Sequence, residues 1–117
     1  MRLKKFYYKK IKSTNNKALM HINKGYEKGI ILAEFQTKGK GQKGNKWISF
    51  SGNLFMSVFF VIGNKISLNK ITKINCLIVQ KCLQKFTDYK VVIKKPNDIL
   101  IKQQKISGIL LETVFEK

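Results

Sequence analysis

Apolar and polar positions alternate along this chain in a way that predicts its elements. Phe6–Lys12 mixes aromatic residues with lysines and fits an edge strand or an ordered arm. The polar cluster Ser13-Thr14-Asn15 then precedes Ala18, Leu19 and Ile22, whose spacing predicts a helix capped by Ser13 or Thr14. Gly25 and Gly29 bracket a turn, and residues 29–37 read as a strand. After Asn53 the chain turns strongly apolar up to Val61, with the β-branched and aromatic residues of a buried strand, and Gly63-Asn64 breaks it. From Ser67 to Phe86, Leu68, Ile71, Ile74, Ile78, Cys82 and Phe86 step by three and four, predicting an amphipathic helix with that stripe inward. Lys70, Lys73, Lys81 and Lys85 fall elsewhere on its surface. Residues 89–98 read as a strand ending at Pro96, followed by a Pro96-Asn97-Asp98 turn. Residues 99–115 read as a hairpin folded at Gln103-Gln104. The order implies an α+β domain: a mixed or antiparallel sheet with helices packed on one face.

Between the strand at 29–37 and the apolar run lies QTKGKGQKGNKWISFSGN, Gln36 to Asn53. Gly39, Gly41 and Gly44 are interleaved with Lys40, Lys43 and Lys46, and Trp47 follows. Glycine lets backbone N–H groups approach a ligand closely, and the lysines add positive charge, so the composition suits an anion. By composition alone it reads equally as a solvated surface loop. The core strand that follows tethers its end, which favours a site.

Composition narrows the picture. A chain of 117 residues with 44% hydrophobic content is expected to be one domain at most, long enough to bury a sizeable core. The net charge of +18 raises nucleic acid as a partner. The lysines, however, are spread over the whole length and Arg2 is the only arginine, so no specific nucleic-acid contact is expected. No apolar run reaches membrane-span length and the N-terminus lacks a signal-peptide core, so a cytoplasmic protein without membrane contact is expected. Cys76 and Cys82 would lie about 240° apart on a helix and read as two buried thiols, with no shared metal. His21 has no ligand partner at suitable spacing and reads as a surface residue.

Four ordered segments together resemble the biotin protein ligases, the biotin–[acetyl-CoA-carboxylase] ligases. They are Ser13-Thr14-Asn15, the loop from Gln36 to Trp47, Lys94-Lys95-Pro96-Asn97-Asp98, and Lys105-Ile106-Ser107-Gly108-Ile109-Leu110-Leu111-Glu112. Ser51-Gly52-Asn53-Leu54 extends the match, which covers nearly the whole chain. The resemblance implies a class II synthetase-like catalytic core over residues 1–117. It implies ATP-dependent activation of biotin to biotinyl-adenylate, with Mg2+, and transfer to a lysine of the biotin carboxyl carrier domain of a carboxylase. It also allows a homodimer.

By the same resemblance, Ser13, Thr14, Asn15 and Gln36 would hydrogen-bond biotin, and Gly39, Lys40, Gly41 and Gln42, with Trp47 behind them, would enclose biotin and the adenylate phosphate. Lys105, with Gly108 on the same strand, would neutralise the carboxylate–phosphate junction. Asn97 and Asp98 would sit by the nucleotide and metal, with Asp98 orienting or deprotonating the incoming lysine; Lys105, Asp98 and Lys40 would be the catalytic residues. The chain departs from the family pattern where Lys40, Gln42 and Asn45 replace loop arginines and Lys95 replaces a tryptophan. The resemblance further implies that the family's last strands and C-terminal β-barrel are missing after Glu112. Two alternatives stand beside a ligase: an inactive remnant that keeps biotin or adenylate contacts, and a basic nucleic-acid-binding module.

Overall fold

The computed structural model describes residues 2–115. They form two compact units, one taking the chain to Ile62 together with the segment from Glu112, the other spanning Gly63–Leu111. The first contains β1 (Lys5–Ile11), α1 (Thr14–Asn23), β2 (Gly29–Gln36), β3 (Gly39–Lys40), β4 (Lys46–Trp47) and β5 (Phe55–Phe59). The second contains α2 (Leu68–Gln84), β6 (Val91–Lys94), β7 (Asp98–Ile101) and β8 (Gln104–Gly108). The α+β content agrees with the sequence expectation.

In the first unit β1 and β2 pair in parallel, from Lys5 opposite Ile30 to Ile11 opposite Gln36, so α1 is the crossover between them. β5 pairs antiparallel on the other side of β2, giving the order β1-β2-β5. The edge position expected for residues 6–12 is therefore where β1 lies. Ser13 caps α1 as predicted, its Oγ accepting from the Asn16 N–H at 3.0 Å. Such a cap contributes about 1 kcal/mol. Ala18 of α1 packs on Ile31 and Phe59, with Phe6, Tyr8, Ile11 and Ile22 around them. The period of two in β5 sends Phe55, Ser57 and Phe59 inward and leaves Met56 and Val58 exposed.

His21 corrects the expectation of a surface residue: it is buried. It lies one turn beyond Ala18 on the inward face of α1. Its ring sits 4.1 Å from Phe6 and edge-on to Tyr26, with Nε2 2.8 Å from the Tyr8 hydroxyl. Nδ1 has no partner among the described residues. Burial first, then the charges of Lys24, Lys17 and Lys4, hold its pKa below the ordinary 6.5.

The glycine loop opens with a tight β3–β4 pairing in which Gly39 faces Trp47 and Lys40 faces Lys46. A single turn, Gln42–Gly44, closes it, with Lys43 and Gly44 at positive φ. Gly39 is required by close approach. A Cβ there would lie 2.4 Å from the Trp47 carbonyl, 2.8 Å from Ser49 Oγ and 2.9 Å from Gln36 Nε2.

In the second unit β6, β7 and β8 form an antiparallel sheet in that order, and α2 packs against β6 and β7. Ser67 caps α2 through the Lys70 N–H. The face it buries differs from the predicted stripe: Ile71 and Cys76 are inside, while Ile74, Ile78 and Phe86 are exposed. Polar anchors on the inner side choose that face. Gln80 Nε2 donates to the Val91 carbonyl at 3.1 Å, and Gln84 Oε1 accepts from the Val91 N–H at 3.0 Å. Cys82 is exposed, which corrects the expectation of two buried thiols. The β7–β8 turn sits one residue earlier than predicted, at Lys102-Gln103, both at positive φ as a two-residue hairpin turn requires.

Two outcomes follow. Between the lowered folded pKa of His21 and the unfolded value near 6.5, the unfolded chain binds more protons, so stability rises with pH there. The full contribution is present above about pH 6.5 and is lost as pH falls below it. Urea midpoints at pH 7.5 and 5 should drop for the wild type and drop less for His21→Phe; equal drops would show that His21 is not the group responsible. Gly39→Ala should lower stability by about 1–3 kcal/mol, the scale of overpacking a filled site. It should also shift the emission of Trp47. An unchanged denaturation midpoint would contradict the close approach.

Candidate functional site

The chemistry-bearing side chains of the first unit meet where α1 starts. Extended backbone at Ser13 turns into helix at Thr14, so three consecutive polar residues sit at the end of β1, opposite the end of β2. Ser13 and Thr14 are buried, as are Gln36, Ser49 and Ser57. Buried polar groups persist only when paired, and here the pairing is traceable.

Gln36 Oε1 accepts from the Thr14 N–H at 2.8 Å, one of the donors that α1 cannot satisfy internally. Its Nε2 donates to Ser49 Oγ at 3.1 Å, and Ser49 Oγ donates to the Trp47 carbonyl at 3.2 Å. One amide thus joins the helix start to the base of the glycine loop. Ser57, inward on β5, lies with its hydroxyl 2.7 Å from that of Thr14 and also bonds Asn15 Oδ1. Asn15 Nδ2 donates to Glu112 at 2.9 Å, and Lys40 of the loop pairs with the same carboxylate oxygen at 3.3 Å.

Of the residues singled out in sequence, this unit gathers Thr14, Asn15, Gln36, Gly39 and Lys40 through direct contacts, with Trp47 reached through its carbonyl. The Ser13 oxygen serves the helix cap. Gly41 and Gln42 lie at the β3–β4 turn, half-buried. Three participants escaped sequence reasoning as network members: Ser49, Ser57 and Glu112. Ser57 carried a signal, a small polar residue on the inward side of an otherwise apolar alternation.

The second unit gathers the others. Lys105 on β8 pairs with Asp98 Oδ1 at the start of β7, 2.8 Å away. Asn97 Nδ2 donates to the Ile109 carbonyl at 2.8 Å, and the Ile109 N–H donates to the Asn97 carbonyl at 3.1 Å. This pair of hydrogen bonds fixes the turn, and Gly108 lies opposite Asp98 in the ladder. Cys76 supports the same turn through its Sγ, 3.6 Å from the Pro96 carbonyl. Burial, then the charge of Asp98, pushes the Cys76 thiol up, so it stays protonated.

A salt bridge between two half-exposed groups contributes little stability. The value of Lys40 and Lys105 lies in where they hold positive charge. In the first unit the buried donors and acceptors suit an uncharged polar ring and the basic glycine loop an anion; the second unit offers Lys105, held by Asp98, beside an asparagine turn.

Comparison with known proteins places the chain in a family. Residues 6–117 match the Biotin/lipoate A/B protein ligase family. The bifunctional ligase/repressor BirA of Escherichia coli (strain K12) is 32% identical over 105 residues, covering 87% of this chain and 32% of that protein. That of Bacillus subtilis (strain 168) is 31% identical over 116 residues, 95% of this chain and 35% of that protein. The chain thus spans about a third of the length of these relatives. The biotin protein ligase of Aquifex aeolicus, solved in complex with biotin and ATP, superposes with a TM-score of 0.78 at 29% identity, over 94% of this chain and 47% of that one. A biotin acetyl coenzyme A carboxylase synthetase from Helicobacter pylori, with bound biotinylated ATP, shares the fold at a TM-score of 0.82 and 22% identity, over 97% of this chain and 56% of that one. With the family match running from β1 to the C-terminus and the folds superposing over almost the entire chain, this chain belongs to the biotin/lipoate A/B protein ligase family.

Proposed function

We propose that the chain carries biotin protein ligase chemistry. A biotin carboxylate oxygen attacks the α-phosphorus of ATP, the bond to pyrophosphate breaks, and biotinyl-adenylate forms. A neutral lysine amine of an acceptor, a carboxylase biotin-carrier domain, then attacks the acyl carbon, AMP leaves, and the surplus proton on the new amide nitrogen is lost to water. The observation that carries this reading is the Gln36 bridge. It ties the Ser-Thr-Asn start to the glycine loop, two segments that the family resemblance gives to the biotin end and to the adenylate.

Thr14, Asn15 and Gln36 supply paired donors and acceptors for the biotin ring, and Ser13 sets the helix start that presents them. Gly39, Lys40, Gly41 and Gln42 close over the acyl-phosphate junction, Lys40 bringing charge. Lys105 opposes the negative charge that builds as carboxylate and phosphate meet, and its Asp98 partner holds the ammonium in place. Asn97 keeps the turn rigid. Mg2+ bound with ATP would offset the charge of the phosphates, and Asp98 would be the carboxylate that holds it from the protein side.

The test is ATP-dependent transfer of biotin to a carboxyl carrier domain, with adenylate formation followed by pyrophosphate exchange. Lys105→Ala should cost about 2–4 kcal/mol of transition-state stabilisation, the scale of one oxyanion donor. Unchanged adenylate formation in that variant would remove Lys105 from the chemistry.

Gln42 stands where the family resemblance places an arginine. A charged hydrogen bond to phosphate is about twice as strong as a neutral one. Gln42→Arg should therefore retain the adenylate roughly tenfold longer and reduce labelling of bystander lysines. Equal bystander labelling by two active proteins would reject that role.

A further inference from the structure

The hydrogen bonds at the start of α1 have a direction, and one carboxylate sets it. A carboxylate only accepts, so the side chain of Asn15 must turn its Nδ2 toward Glu112, at 2.9 Å. The Asn15 Oδ1 then points at Ser57, and an amide oxygen can only accept. The single proton of the Ser57 hydroxyl is committed to it. The 2.7 Å contact between the Ser57 and Thr14 hydroxyls therefore requires Thr14 to donate. With its proton so used, the Thr14 Oγ1 has only acceptance to offer a ligand. Were Asn15 turned over, each step would reverse and Thr14 would present a donor instead.

We propose that Glu112 is a positioning residue that fixes the donor–acceptor polarity of the Asn15–Ser57–Thr14 chain, so that Thr14 Oγ1 is presented as an acceptor for a ring N–H of the ligand. Lys40 pairs with the same Glu112 oxygen at 3.3 Å, so the loop lysine contributes to keeping the carboxylate in place. One carboxylate thereby sets the polarity of this hydrogen-bonded chain and touches the glycine loop that Gln36 anchors. The choice of biotin as probe rests on the proposed ligase reading; the proton order in the chain does not.

The experiment uses the full chain and two readouts. In a ¹H–¹⁵N spectrum, the Asn15 side-chain amide should carry a downfield, slowly exchanging proton, as expected against a charged acceptor. In Glu112→Gln, whose amide can either accept from or donate to Asn15, that signal should move to the ordinary amide region. Binding should also change: biotin should weaken about fivefold, the scale of one neutral hydrogen bond. A biotin analogue methylated on the ring nitrogen should bind the two proteins alike. A merely structural role would weaken both ligands together. Ser57→Ala cuts the same chain in its middle and should reproduce the loss of preference, which keeps the test open if Glu112→Gln folds poorly. An Asn15 amide signal unaltered in Glu112→Gln overturns the proposal, as does equal weakening of both ligands. If the wild type binds no biotin, the ligase reading fails, and the Asn15 amide signal still decides the relay.

Discussion

The side-chain amide of Gln36 is the interaction on which the site depends. Its oxygen takes the first N–H of α1, and its nitrogen holds Ser49 beneath the glycine loop. A helix start leaves several N–H groups without internal partners, and burying one unpaired costs more than a hydrogen bond returns net. The end of β2 therefore had to offer an acceptor opposite Thr14. Gln36 does this while anchoring a loop that the strand itself does not reach. The small hydrophobic core of Ala18, Ile31 and Phe59 positions the two elements, and the amide fixes their register.

A consequence is that binding chemistry and fold stability share the same atoms. Ser13 spends its oxygen on the α1 cap, and Gln36 spends both ends of its amide on the bridge. What is left for a ligand is the second N–H of Gln36 and the residual acceptor capacity of Gln36 and Thr14, in a place already shielded from water. In such surroundings a matched polar ligand gains more than it would at an exposed surface, and a mismatched one is penalised by the unpaired group. The basic loop adds charge at the rim, where Lys40 stays partly exposed and able to exchange partners.

Much of this was legible in the sequence, for reasons that can be named. Local rules sufficed for the Ser13 cap, the β2 strand leading to Gln36, and the glycine loop tethered by β5. Cooperative features were harder. The α2 periodicity contained two usable apolar sides, and the sequence pattern could not show that Gln80 and Gln84 would anchor to Val91 and turn Ile74 and Ile78 outward. His21 read as a surface group because its aromatic neighbours Phe6, Tyr26 and Phe59 come from three other segments. The site residues were found through motif resemblance. Ser57 and Glu112, which complete the network, required the pairing of β5 with β2 and the return of the chain to α1 to be visible.

The central claim is that the buried polar group at the start of α1 and the glycine loop form the biotin-recognition element of this chain. Chemical-shift mapping during biotin addition tests it most directly. The account predicts saturable shifts of the Thr14 and Asn15 backbone amides, the Gln36 side-chain amide and the Gly39–Gly41 amides, with β1 lysines unaffected. Absence of saturable shifts at Thr14 and Gln36, or shifts confined to the lysine-rich outer face of β1, would contradict it.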